Sequence, residues 1–89
     1  MQPMIQPTVG RIVHYTSHGS PVLPDGTQIY KSVCRAAIVT GDHVFDSEAG
    51  DFMTPLAVLN PEGMFFQACP ADESRTYGGT WHWPEQVTL

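Results

Sequence analysis

Charge is scarce in this sequence, and positive charge scarcest of all. Only 15% of the residues are Asp, Glu, Lys or Arg, well below the roughly 25% of an ordinary globular chain. Four cations face nine carboxylates, for a net charge of −5. Such a field repels phosphate backbones and anionic lipid alike, which argues against general nucleic-acid binding and against a membrane-surface role. Cysteine is equally sparse. Cys34 and Cys69 are the only two, and with no secretory leader in Met1-Gln2-Pro3-Met4-Ile5-Gln6-Pro7 they read as reduced thiols of the core. No window approaches the ~20 apolar residues of a membrane span, so the expected location is cytoplasmic.

Helix signals are missing as well. No segment repeats its apolar residues with a 3.6 period, no capping signal precedes an apolar run, and Gly and Pro number eight each, a density suited to strands joined by tight turns. The phosphate-cradling loop is excluded, because Gly78-Gly79 leads into Thr80-Trp81-His82-Trp83 and not into a helix whose N-terminus would hold an anion. No internal repeat or low-complexity tract is visible. What remains is apolar enough to fold, at 42% AVILMFWYC. Eighty-nine residues supply one small domain, since a chain of this size buries only about 60–65% of its unfolded surface.

The β signal is distributed along the chain. Residues 8–15 are β-branched and aromatic, with Gly10 marking a bulge or a bend. Residues 16–31 turn polar and hold Leu23-Pro24-Asp25-Gly26-Thr27, a turn with proline pre-set at its first central position, inside a long loop or open hairpin. Residues 33–40 form the second predicted strand. Residues 41–53 read as an exposed loop carrying Asp42, Asp46, Glu48 and Asp51. Leu56-Ala57-Val58-Leu59 and Met64-Phe65-Phe66-Gln67-Ala68-Cys69 flank Asn60-Pro61-Glu62-Gly63, the best hairpin in the chain. Thr80-Trp81-His82-Trp83 closes the series. The expected fold is all-β, a five- to six-stranded SH3-like barrel or a compact sandwich spanning residues 1–89, with 1–7 as an N-terminal extension.

Thr8-Val9-Gly10-Arg11-Ile12-Val13-His14-Tyr15, Leu56-Ala57-Val58-Leu59-Asn60-Pro61-Glu62-Gly63-Met64-Phe65-Phe66 and Gly78-Gly79-Thr80-Trp81-His82-Trp83-Pro84-Glu85 together resemble a family of small proteins encoded by tailed bacteriophages and prophages. The opening and closing blocks carry most of the likeness. It implies a viral context and the cytoplasm of a bacterial host, and it brings no catalytic residues with it.

The chemistry-bearing residues are weighed one set at a time. His14 and His18 have the spacing of two ligands on a helix, but they sit at a strand end before Gly19-Ser20-Pro21. His82 and a cysteine would complete a zinc set only in three dimensions, with no close pair in sequence to nucleate it, so no metal and no cofactor are expected. Cys34 or Cys69 with His14 or His82, or any of Ser17, Ser20, Ser32, Ser47 and Ser74, lacks the local signature of a nucleophile. The four carboxylates of residues 41–53 lack the ligand alternation of a calcium loop.

Two features stand out. By the period of two, Trp81 and Trp83 share one face of the last strand with His82 opposite; the pair either closes the core or lines a pocket. Arg11 and Arg35 lie inside predicted strands, where they either pair with carboxylates such as Asp25 or Asp51 or converge with rings to hold an anion. The candidate ligand-binding set is therefore Arg11, Tyr15, Arg35, Trp81, His82 and Trp83. The expected protein is a non-enzymatic accessory protein, a homo-oligomer that sequesters a small molecule such as a host defence nucleotide signal. The alternative is a protein-interaction module, an inhibitor of a host protein or a minor virion component, using the Met64-Phe65-Phe66 strand or the Trp81/Trp83 face.

Overall fold

The structure, a computed structural model, describes residues 6–84; the expected N-terminal extension at 1–7 falls largely outside them. The all-β expectation holds. The strands are β1 (Ile12–Thr16), β2 (Cys34–Val39), β3 (Val44–Asp46), β4 (Asp51–Asn60), β5 (Gly63–Cys69) and β6 (Thr80–His82). They form one antiparallel sheet in the order β3-β4-β2-β1-β6, with β5 also paired to β4, curled into a half-barrel. Among the described residues no helix is long and apolar enough to cross a membrane.

The hairpin around Pro61 forms as its turn chemistry predicts, with Asn60 opposite Gly63 and the pairing running to Thr54 opposite Cys69. Gly10 is the expected bulge. Val39 donates to the Arg11 carbonyl at 2.9 Å and accepts from the Gly10 amide at 2.8 Å, so one residue faces two, and Gly10 takes the φ of +89° that this geometry needs. The strand predicted over 8–15 accordingly begins only at Ile12. The 17–33 segment is the open form of hairpin. Ser17 N bonds Val33 O, Ser20 N bonds Tyr30 O and Leu23 N bonds Thr27 O, while the Asp25 carboxylate holds the Thr27 amide at 3.0 Å and its hydroxyl at 2.6 Å.

The loop expected over 41–53 requires correction. It holds β3 and the start of β4, paired Val44 to Met53, Phe45 to Phe52 and Asp46 to Asp51, with the Phe45 and Phe52 rings 5.5 Å apart. Asp46, Glu48 and Asp51 belong to the turn and its flanks, where Asp46 accepts from the Glu48 amide at 2.9 Å. They were a sign of a hairpin tip, not of missing structure.

Alternation along the strands divides the sheet into two faces. The inner face carries the core: Val13, Tyr15, Ala37, Val39, Leu56, Val58, Cys69 and Trp81 are buried, with Phe65 and Trp83 packed against them. In register, Val13, Ala37, Val58 and Phe65 make one row across β1, β2, β4 and β5. Cys69 is thus a core thiol as expected. Cys34 is not: it is an exposed free cysteine on the outer face, because it pairs with Thr16, whose side chain points away from those of Val13 and Tyr15.

Candidate functional site

The register of β2, β1 and β6 decides where the predicted ligand-binding residues lie. Arg35 is opposite Tyr15, and Tyr15 is opposite Trp81, so these three form one cross-strand row on the inner face. Trp83 joins them with its ring perpendicular to that of Trp81 at 5.4 Å. Tyr15 and Trp81 are only 3% and 5% exposed, which commits both rings to the core; Tyr15 stacks edge-on against Phe65 at 5.6 Å and donates its hydroxyl to Gln67 Oε1 at 3.2 Å. Burial is also what raises the Tyr15 hydroxyl above its ordinary pKa, with a smaller contribution from Cys69. Of the two readings of the tryptophan pair, core closure is the one the packing displays.

Arg11 and His82 do not join that row. Arg11 is exposed beside the bulge, four residues from Tyr15 and so about 13 Å along the strand direction. His82 faces the opposite side of the sheet from Trp81. Of the two carboxylates named as ion-pair partners, Asp25 is held below its usual pKa by the Thr27 hydroxyl and amide, with no guanidinium contributing, and Asp51 accepts from the Phe52 amide at 2.7 Å. Arg35 stays half-buried in the same row as Trp81, with Tyr15 between the two; among the described residues the Trp81 indole nitrogen is buried and has no hydrogen-bond partner.

The outer face assembles a different set. His14 is directly opposite His82, and Thr16 is flanked by Cys34 on β2 and Thr80 on β6. The His14 and His82 rings meet edge to face, with centroids 5.6 Å apart and planes at 89°. Cys34 Sγ lies 3.6 Å from His82 Nε2, and Thr16 Oγ1 lies 3.3 Å from His82 Nδ1. His82 is fully buried. Desolvation is the main reason its pKa lies below the ordinary imidazole value, with Arg75 and His14 adding to the effect and Glu73 and Asp72 opposing it. A neutral ring results at neutral pH, with one nitrogen turned to a hydroxyl and the other to a thiol.

Among the described residues, His14, Cys34 and His82 are the group of three whose ligand atoms come together, all within 4.8 Å of one another. Sequence reading weighed His14, His82 and a cysteine as a set and put it aside, because its members sit on three different strands with no close pair in the chain. The pairing of β1 with both β2 and β6 supplies the proximity that chain spacing does not. Compared with known proteins, the chain matches no family description, no curated protein and no solved structure.

Beside this cluster, two rows of the outer face across β1, β2, β4 and β5 carry no Asp, Glu, Lys or Arg; by the same alternation Asp46 and Asp51 lie on this side at the β3–β4 end. Ile12, Ile38, Ala57 and Phe66 make one row in register across four strands. Beside it run His14, Ala36, Leu59 and Met64. Ile12, Met64 and Phe66 are 61%, 61% and 72% exposed, and neither row contains Asp, Glu, Lys or Arg.

Proposed function

We propose that the protein is a non-catalytic interaction module whose contact surface is the outer face of the sheet, and that its partner on that face is a second copy of the chain. One observation carries this reading: on a chain of net charge −5, the two exposed rows across β1, β2, β4 and β5 contain no charged side chain. Contiguous apolar surface of this kind marks contact sites. Its lack of charge selects the partner. A basic partner would be drawn to the carboxylates around these rows, whereas two acidic copies repel least through the rows that hold no charge. A small domain with a limited core also gains more from covering such a face than a large one does. If the resemblance to phage-encoded proteins reflects common origin, the assembly acts in the cytoplasm of a bacterial host.

Sedimentation equilibrium of the wild type and of Phe66→Glu tests the reading. The expected result is a dimer or higher assembly for the wild type and a folded monomer, with unchanged circular dichroism, for the variant. A wild type that stays monomeric across the accessible concentration range overturns it.

A specific observation also favours the small-molecule reading. The Arg35 guanidinium is half-buried on the inner face in the row of Tyr15 and Trp81, a fork of donors suited to an anion such as a nucleotide signal that the protein would sequester. Titration calorimetry with adenosine monophosphate tests it. Binding that Arg35→Ala abolishes without loss of folding supports sequestration, and an absence of heat counts against that ligand class.

A further inference from the structure

We infer that His14, Cys34 and His82 form a binding site for a single borderline-soft divalent cation of the Zn²⁺ class, with three protein ligands and a fourth position open to solvent. The site lies at the β6 end of the outer face. It shares His14 with one of the two outer-face rows, and its test reads metal binding rather than assembly.

The geometry is the first argument. Zinc bonds of about 2.3 Å to sulfur and 2.0–2.1 Å to nitrogen, set at a tetrahedral angle, hold the two ligand atoms about 3.5 Å apart, and Cys34 Sγ is 3.6 Å from His82 Nε2. Two imidazoles on one tetrahedral ion place their ring centres about 5 Å apart, and those of His14 and His82 are 5.6 Å apart. All three ligand atoms fall within 4.8 Å of one another, so closing the set asks for about 1 Å of movement, which the half-buried His14 side chain can supply by a small change in χ.

Ligand chemistry is the second argument. One thiolate and two imidazoles match a borderline-soft ion and disfavour Mg²⁺ and Ca²⁺, which take oxygen ligands. His82 Nδ1 lies against Thr16 Oγ1, and in the tautomer that donates Nδ1–H to that hydroxyl the Nε2 lone pair is turned toward Cys34. A metal-binding histidine is ordinarily oriented by such an outer-shell partner. On binding, Cys34 gives up its thiol proton to solvent and coordinates as the thiolate.

Exposure is the third. His82 is buried, His14 half-buried and Cys34 exposed, so the ion has a protein wall on one side and an open approach on the other. Three ligands plus an accessible position is the arrangement of a site that keeps water, not of a closed structural one. Registered β-pairing fixes two ligands directly opposite each other and the third one diagonal step away. The site therefore stands ready in the folded sheet.

The test is titration of the reduced full chain with Co²⁺ as a spectroscopic stand-in, followed by competition with Zn²⁺. The expected result is one equivalent bound, with thiolate-to-cobalt charge transfer in the near ultraviolet and the intense visible bands of tetrahedral Co²⁺. Cys34→Ser should abolish the charge-transfer band and weaken Zn²⁺ by more than the ~10–100-fold that loss of an outer-shell partner costs. His14→Gln, at a half-buried position, should weaken binding comparably with folding intact, which keeps the test decisive if His82 variants do not fold. Zn²⁺ should also protect Cys34 from alkylation in the wild type. The proposal is overturned if Co²⁺ gives no thiolate band, or if Cys34→Ser and His14→Gln bind Zn²⁺ as the wild type does.

Discussion

Thr16 and His82 are joined across the β1–β6 pairing by a 3.3 Å contact between the Thr16 hydroxyl and His82 Nδ1, inside a region where His82 is fully buried and Thr16 nearly so. Among the described residues that hydroxyl is the side-chain partner of the nitrogen, and a buried ring nitrogen stripped of its partner bears the whole cost of its lost hydration. Thr16→Val keeps the shape and removes the hydroxyl, so it should destabilise the fold by about 1–3 kcal/mol. Thr16→Ser should retain most of the stability. Urea unfolding of the three proteins measures the difference, and a valine variant as stable as the wild type would show that the contact contributes little.

Two adjacent glycines bring β6 against His18, and they should fail in different ways when substituted. A Cβ on Gly78 would stand 2.6 Å from the His18 Cα and 3.0 Å from the Ser17 carbonyl oxygen, which are backbone atoms that cannot step aside. One on Gly79 would meet only the His18 ring, at 2.5 Å from Nε2, but Gly79 has a φ of +74°. Gly79→Ala should therefore cost about 1 kcal/mol or somewhat more, mostly from the left-handed backbone, and removing the ring with His18→Ala should recover only the steric part. Gly78→Ala should be the more damaging, with no rescue by His18→Ala. Thermal unfolding of the single and double variants separates the cases.

Local chemistry was readable where it is written in consecutive residues. Asn60-Pro61-Glu62-Gly63 announces its hairpin, the β-branched runs announce β1 and β2, and the period of two correctly sets Trp81 against His82. The β3–β4 pairing was missed because only three residues of β3 pair and the acidic turn dominates the composition. A signal was nevertheless present: Val44-Phe45 and Phe52-Met53 mirror each other about that turn. The outer-face cluster was harder to read, since Cys34 and His82 are 48 residues apart and meet only because β1 lies between their strands. Arg35 was singled out for its residue type, yet its neighbours Tyr15 and Trp81 are consumed by packing, which composition does not disclose.

Asp72 organises the 70–79 connection, and its ionisation should govern that loop at low pH. The carboxylate accepts from the Ser74 amide at 3.1 Å, the Thr76 amide at 3.1 Å and the Tyr77 amide at 3.0 Å, and from the Ser74 hydroxyl. The Ser74 hydroxyl is the main cause of its lowered pKa. Because the folded pKa lies below the ordinary 3.8, the stabilisation is present above that value and is lost as pH falls through the folded one. Hydrogen exchange at the Thr76 and Tyr77 amides should accelerate, relative to the strand amides, in Asp72→Ala at neutral pH. Unchanged protection there would remove Asp72 from its organising role.

At the alkaline end the controlling group is Cys69, 1% exposed at the end of β5. Burial pushes its thiol from 9.0 up to about 12, so the folded chain keeps the proton over a range in which the unfolded chain gives it up. The sign follows from linkage: above pH 9 the unfolded state binds fewer protons, and stability falls as pH rises toward 12, by as much as about 1.4 kcal/mol per pH unit from this group. Tyr15, raised mainly by burial and also by Cys69, should add to the loss at the upper end. Cys69→Ala will be less stable at neutral pH, because it opens a small cavity in the core, but its stability should decline less steeply between pH 9 and 12. Denaturant unfolding at several pH values gives both slopes. Parallel slopes for wild type and variant would mean that another buried group carries the alkaline dependence, whereas a flatter variant slope assigns it to the one thiol that the inner face encloses.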